Sequence, residues 1–317
     1  MSVNVRKIAK LASVSPATVS RVFNDYPHVK LDVRRRVIEA ALSLGYTPQN
    51  NIVWLILPGD YYFSCYQRNM LQTLYKEADQ RNIHLLMVSE KDIPLLGGLY
   101  LCDGVISLPY RVGLERKWGA AEVLPMICIN SQGYPGDNIL RVASNNRQGV
   151  TLALDYFKSR GHKKIVFINM DSHHPQDSTD TLERQTTYIQ WMQENFPDVP
   201  SEIIYYFEID FQFRQLIDKG VTALFVPGED ATTELLRCAK HQNIRIPEDI
   251  SLIGMENDHT HSFFSASITT IGQNWSLIAA TVYDLLGKLI RKQPASDQFI
   301  DFEFNERSSV LQLPSGQ

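Results

Sequence analysis

Val14-Ser15-Pro16-Ala17-Thr18-Val19-Ser20-Arg21-Val22-Phe23-Asn24 decides how this chain is read. Ser15 suits an N-cap, because its side-chain oxygen can accept an orphan amide of a first helical turn. Pro16 suits the first helical position, where its missing N–H costs nothing and its fixed φ is already helical. The stretch therefore predicts a short helix opening at Pro16. Upstream, Asn4 to Ala12 reads as another short helix, joined to it by a tight turn, and a third is predicted from about Asp32 to Leu44. In the second helix Ala17, Val19 and Val22 are too few for a deep core. Its polar face carries Thr18, Ser20 and Arg21, short hydrogen-bonding groups plus one forked cation. That is the chemistry needed by a helix lying in a DNA major groove.

Charge separates this head from the rest. The first 46 residues hold eight Lys/Arg and three acids, a net of +5, which leaves −9 for the remainder of a chain whose total is −4. A basic head on an acidic body attracts phosphates through one part only. The 317 residues suffice for a sizeable core and more than one domain. The four cysteines, Cys65, Cys102, Cys128 and Cys238, are widely spaced and form no C-x-x-C pair. They read as reduced packing residues of a cytoplasmic protein. No signal peptide is seen ahead of the head, and no apolar run approaches the roughly 20 residues that span a bilayer. No membrane partner is expected.

After Pro48 the pattern changes to short apolar strands alternating with amphipathic helices. Ile52-Val53-Trp54-Leu55-Ile56-Leu57 is a continuous apolar run, as in a parallel strand covered on both faces. A helix is predicted from Tyr66 to Arg81, with strands at His84–Val88, Gly104–Leu108 and Met126–Asn130. A second series starts with Ile165–Ile168 and continues through Glu202–Phe207, Ala223–Val226 and Ser251–Met255. Two such series predict two doubly wound parallel-sheet subdomains, with ligands at the carboxyl ends of their strands.

The head stretch, together with Gly45-Tyr46-Thr47-Pro48, resembles the headpiece of the lactose-repressor (LacI/GalR) family of transcription regulators. The body resembles the same family. The matching pieces are Asp103-Gly104-Val105-Ile106, Gly161-His162-Lys163-Lys164-Ile165, Pro247-Glu248-Asp249-Ile250-Ser251-Leu252-Ile253-Gly254, Ile268-Thr269-Thr270-Ile271 and Glu306-Arg307-Ser308-Ser309. The resemblance implies a helix-turn-helix head at 1–48, a linker at 49–51 and a periplasmic-binding-protein-like core at 52–317. It divides the core into an N-subdomain, about 52–160 and 273–293, and a C-subdomain, about 161–272 and 294–310. It implies a homodimer that binds a pseudo-palindromic double-stranded DNA operator under the control of a small molecule. No heptad run follows the last strand, so a tetramerising coiled coil is not expected.

The same resemblance assigns roles. Base reading falls on Pro16 and Ala17, which can offer apolar contact only, and on Arg21, the best candidate for bidentate contact to guanine. Ser15, Thr18 and Ser20 are expected on phosphates; Asn24 and His28 complete the DNA-facing set. Arg34, Arg35 and Arg36 read as a solvated helix face with at least one within reach of the DNA backbone. The effector set is Tyr66, Asn145 (with Asn146), Arg184, Glu229, Asp230, Glu256, Gln273 and Trp275. Carboxylates and Arg184 suit hydroxyl groups, and Trp275 offers a flat face to a ring, so a sugar or sugar derivative is the expected effector. Glu stands at 229 where the family has Asn, and at 256 where it has Asp, which narrows the pocket and adds negative charge.

One departure is physical. Relatives of this kind carry a short hinge helix with a minor-groove leucine after the Tyr-x-Pro motif. Here Pro48 is followed by Gln49-Asn50-Asn51 and then the strand at Ile52. Four residues reach at most ~14 Å, too short for a two-turn helix. Two readings follow: a regulator that bends its site less, or a small-molecule sensor whose DNA binding is weakened. Enzyme chemistry is not expected. The chain has no Gly-rich phosphate loop, no G-x-S-x-G and no H-E-x-x-H. His259 and His261 with Glu256 and Asp258 lack a recognised ligand spacing, so no metal or cofactor is expected.

Overall fold

The computed structural model describes residues 5–23, 26, 28–44, 51–57, 65–89, 91, 102–108, 124–131, 138–169, 179–255 and 267–314. Three helices open the chain: α1 (Val5–Leu11), α2 (Pro16–Phe23) and α3 (Leu31–Ser43). They pack on one another through Ile8, Ala9, Ala12, Val19, Val22, Val37, Ile38 and Ala41, each at most 4% exposed. The turn between α1 and α2 closes the first helix in a Schellman pattern. Val14 N–H donates to Ala9 O at 3.0 Å and Ser13 N–H to Lys10 O at 3.3 Å, with Ser13 at φ = +53°.

Contacts divide the chain into two compact units: Met1–Tyr61 with Leu74–Val142 and Ala279–Asp297, and Tyr62–Thr73 with Ala143–Ile278 and Gln298–Gln317. The elements after the head are β1 (Ile52–Leu57), α4 (Cys65–Gln80), β2 (His84–Ser89), β3 (Gly104–Ser107), β4 (Met126–Ile129), β5 (Ile139–Ser144) and α5 (Asn146–Ser159). Then come β6 (Ile165–Asn169), α6 (Thr179–Asn195), β7 (Glu202–Tyr205), α7 (Ile209–Asp218), β8 (Ala223–Val226) and α8 (Glu229–His241). The last are β9 (Ser251–Met255), β10 (Thr269–Gly272), α9 (Trp275–Ile290), β11 (Gln298–Ile300) and β12 (Glu303–Asn305).

Among the described residues the strands form two six-stranded sheets, ordered β2-β1-β3-β4-β5-β11 and β7-β6-β8-β9-β10-β12. Both begin with the same doubly wound order, in which the chain steps out one strand, returns past the first and continues the other way. In β1 the residues Val53 to Ile56 are all buried, which explains the unbroken apolar run. The second sheet is parallel from β7 to β10, and β12 then runs antiparallel to β10, pairing Thr270 with Asn305.

The predicted strand Glu202–Phe207 is shorter than its sequence suggests. It ends at Tyr205 and the chain turns through a 3-10 segment, Tyr206–Glu208, whose entry is held by Tyr205 N–H donating to the Glu208 carboxylate at 3.2 Å. Among the described residues no helix is long and apolar enough to cross a membrane.

Candidate nucleic-acid interface and effector site

The sequence of α2 dictates which face it shows. Val19 and Val22 are 0% exposed against α1 and α3, so the opposite side must face out. That side carries Ser15, Pro16, Ala17, Ser20 and Arg21, all exposed, with Thr18 half-buried. Ser15 caps the helix: its hydroxyl oxygen accepts Thr18 N–H at 3.0 Å, and the Ser15 and Thr18 hydroxyls meet at 2.8 Å. Among the described residues the Arg21 side chain forms no hydrogen bond or ion pair, so its fork points to solvent. His28 is exposed; Asn24 lies outside the described residues.

Of the arginine run on α3, Arg35 and Arg36 are exposed as expected and Arg34 is not. Arg34 is 5% exposed and donates Nη2–H to Tyr26 O at 3.0 Å. Arg36 donates Nη1–H to Ala12 O at 3.3 Å. Arg35 pairs with Glu39 at 2.9 Å, with both side chains exposed. Chain turns leave carbonyls without helical partners, and two of the three arginines serve those groups.

The effector candidates of the second unit gather at the carboxyl ends of its sheet. Its switch point lies between β6 and β8, which end at Asn169 and Val226. Just beyond β8, α8 begins with Glu229, 5% exposed, and Asp230, half-buried. Thr232 fixes that helix start: its hydroxyl donates to Gly228 O at 2.7 Å and accepts Met255 N–H at 3.3 Å. Arg184 arrives from α6, whose buried face repeats at helical spacing through Asp180, Arg184, Thr187, Tyr188 and Trp191. Arg184 is 9% exposed. It donates Nε–H to Asn146 Oδ1 at 2.7 Å and Nη1–H to Pro227 O at 2.9 Å, while Nη2 stands 3.9 Å from Asp180. The Asn146 amide donates in turn to Asp180 at 3.0 Å and Glu183 at 2.9 Å.

The two neighbouring asparagines divide their work. Asn146 is 1% exposed and ties α5 to α6. Asn145 is the N-cap of α5, accepting Gln148 N–H at 3.2 Å, and donates to Asp301 at 2.8 Å. Sequence reading took Asn145 as the principal residue of the pair and did not find Asp180. The signal available was the i,i+4 spacing of Asp180 and Arg184.

At the start of α9, Gln273 is 7% exposed and Trp275 half-buried, and the Trp275 ring lies 5.5 Å from that of Tyr66, at 56°. Cys65, next to Tyr66, sits against Asp230. Its own burial and that carboxylate raise the thiol above its ordinary range, with Arg68 acting the other way. Tyr66 is therefore joined to Trp275 by ring contact, its neighbour Cys65 to Asp230, and Arg184 to the residue before the loop that leads to Glu229. Glu256 lies outside the described residues, as do His259 and His261. Among the described residues no cluster of three or more His, Cys, Asp or Glu is arranged to hold a metal.

Comparison with known proteins finds matches to two parts of the chain. Residues 4–49 match the model described as bacterial regulatory proteins, lacI family, and residues 154–310 match a periplasmic binding protein-like domain. The chain is 27% identical over 344 aligned positions to the HTH-type transcriptional repressor PurR of Actinobacillus pleuropneumoniae serotype 3, covering 98% of each. It is 26% identical to the HTH-type transcriptional regulator YkvZ of Bacillus subtilis, covering 97% of this chain and 99% of that one. Among solved structures, the lac repressor dimer bound to operator and the anti-inducer ONPF superposes with a TM-score of 0.67 at 18% identity, covering 98% of this chain and 100% of that chain. The transcriptional regulator CelR–cellobiose complex gives 0.66 at 21%, covering 97% and 99%. The lacI family is one of transcriptional regulators and not of enzymes. A basic three-helix head with a polar outward face, two doubly wound sheets later in the chain and these two matches lead to one assignment: the chain belongs to the lacI family of bacterial regulatory proteins, as a DNA-binding transcriptional regulator with a periplasmic-binding-protein-like core.

Proposed function

We propose that the chain is a sequence-specific repressor that binds a pseudo-palindromic operator as a homodimer in the cytoplasm and is controlled by a sugar or sugar derivative. The observation that carries the DNA part is the outward face of α2. Pro16, Ala17, Ser20 and Arg21 are exposed while Val19 and Val22 are fully buried. The lac repressor comparison, a dimer bound to operator, supports the assembly. Residues 1–48 act as the DNA-binding head, 49–51 as the linker and 52–317 as the core.

The effector reading rests on the polar groups Arg184, Glu229, Asp230 and Gln273 at the strand ends, with Tyr66 and Trp275 presenting ring faces. Hydroxyls suit the first group and an apolar sugar face the second. The solved relative with cellobiose and another with D-xylulofuranose support a carbohydrate. Among the described residues, Arg184 uses two of its five N–H groups in hydrogen bonds, with Nη2 3.9 Å from Asp180.

A tether too short for a hinge helix is part of this reading. Eight residues separate Ser43 at the end of α3 from Ile52 at the start of β1, and the interval 45–50 lies outside the described residues. The alignment to PurR runs over 344 positions although this chain has 317 residues, so the relative carries residues with no counterpart here. A missing minor-groove wedge forgoes the kink that such wedges produce.

The test begins with selection of duplexes from a random-core pool by the full-length protein. The selected sequence is expected to contain two related half-sites and to bend little in a circularly permuted gel-shift series. A panel of mono- and disaccharides is then screened by thermal shift and against the selected duplex. A stabilising sugar that also alters duplex affinity supports the proposal. Selection of no sequence, or of a single half-site, contradicts the operator reading; stabilisation only by non-sugar ligands contradicts the effector reading.

A further inference from the structure

We infer that Arg34 and Arg36 are positioning residues for the DNA-reading helix, holding its two flanks from α3 without touching DNA. This rests on the reading of α2 as the DNA-facing helix. The geometry is specific to the two ends of α2. On the entry side, Arg36 donates to Ala12 O at 3.3 Å. Ala12 is the residue before Ser13, whose backbone sits at φ = +53°, and Ser15, the cap of α2, follows two residues later. On the exit side, Arg34 donates to Tyr26 O at 3.0 Å, and the N–H of the same Tyr26 donates to Arg21 O at 2.9 Å. One residue, Tyr26, thus links the buried Arg34 to the backbone of Arg21, the candidate base reader.

A bidentate arginine contact depends on the placement of its fork, so an arginine that fixes the backbone beneath it acts on sequence discrimination. Arg34, at 5% exposure, is withdrawn from any duplex. Arg36 is exposed, so the alternative role for it is a phosphate contact. The two roles separate by salt. A phosphate contact lowers affinity for every sequence and reduces the slope of log K against log salt by about 0.9 per contact. A positioning residue changes the ratio between sequences and leaves the slope alone.

The experiment compares full-length wild type, Arg36→Ala and Arg36→Lys on the duplex selected by the wild type and on a scrambled duplex, over several salt concentrations. Arg36→Ala is expected to lower the preference for the selected duplex about tenfold, with scrambled binding within twofold and the slope unchanged. Arg36→Lys, which keeps a donor for Ala12 O, is expected to restore most of the preference. A reduced slope with both duplexes weakened equally, or an unchanged preference, overturns the inference for Arg36. Arg34 is tested by Arg34→Lys alongside Arg34→Ala, with melting of each variant recorded. A variant that melts like wild type yet keeps full preference overturns the role of Arg34. Failure of the wild type to select any duplex overturns instead the reading on which the inference rests.

Discussion

The Arg184 guanidinium and the Asn146 carboxamide form a buried pair, with Nε–H donating to Oδ1 at 2.7 Å. The same guanidinium holds Pro227 O, which immediately precedes the loop and helix carrying Glu229 and Asp230. Removing it leaves two buried acceptors, Asn146 Oδ1 and Pro227 O, without their donor and the nearby Asp180 carboxylate without its cation. Arg184→Ala is expected to lower stability by about 2–4 kcal/mol. Arg184→Lys recovers part of this, because an ammonium cannot serve both acceptors in one plane. Urea unfolding with an unchanged m-value checks the size of the loss.

Protonation gives a second test. His162 is 1% exposed. Its Nε2 lies 3.0 Å from Leu311 O, which can only accept, so Nε2 carries the proton and Nδ1 accepts from the Thr222 hydroxyl at 2.9 Å. Burial lowers the imidazole from 6.5 to about 4, partly offset by the Leu311 carbonyl. The unfolded chain therefore binds more protons between pH 4 and 6.5. The contribution of His162 is complete above pH 6.5 and is lost as pH falls toward 4, by about 3 kcal/mol in all. His162→Gln is expected to flatten the stability–pH curve in that window, measured by denaturant unfolding at fixed ionic strength.

The turn into α2 holds a serine where backbone geometry favours glycine. Ser13 has φ = +53° at the end of the α1 Schellman pattern. Ser13→Gly relieves the strain of a left-handed L-residue, offset by greater freedom of the unfolded chain. A net gain of roughly 0.5–1 kcal/mol is expected, and Ser13→Val is expected to lose stability. Helical circular dichroism on heating reads both.

Gly149 meets a different constraint. A Cβ at this position in α5 would lie 2.6 Å from Phe302 Cδ2. Phe302 is 5% exposed and its backbone N–H is held by Gln148 at 2.8 Å, so the ring has little room to retreat. Gly149→Ala is expected to cost about 1–3 kcal/mol despite the better helix propensity of alanine. Its thermal midpoint, compared with that of the exposed-site control Arg147→Ala in the same helix, provides the check.

Much of this arrangement is legible in local chemistry. Ser15 and Pro16 announce the start of α2, and the run Ile52–Leu57 announces a strand covered on both faces. What escapes reading is set by partners distant in sequence. Apolar pattern carries no strand direction, so the antiparallel pairing of β12 with β10 is invisible until Thr270 meets Asn305. Tyr205 and Tyr206 favour a strand, and the turn there is decided by Glu208 reaching back to an amide. The run Arg34-Arg35-Arg36 looks solvated because nothing nearby in sequence tells that Tyr26 and Ala12 expose carbonyls to it. Asn145 and Asn146 look like one ligand pair, yet one caps a helix and the other braces Arg184.

Sequence-specific reading of DNA through α2 is the central claim, and Arg21 is its sharpest point. The direct measurement is the affinity of wild type and Arg21→Ala for the selected and the scrambled duplex at one fixed salt concentration. The wild type is expected to prefer the selected duplex by ~10³ or more. Arg21→Ala is expected to cost about 1–3 kcal/mol of that preference and to relax it at one base position. Equal wild-type affinity for the two duplexes, falling steeply with salt, would contradict the account, because it is the behaviour of phosphate contacts alone.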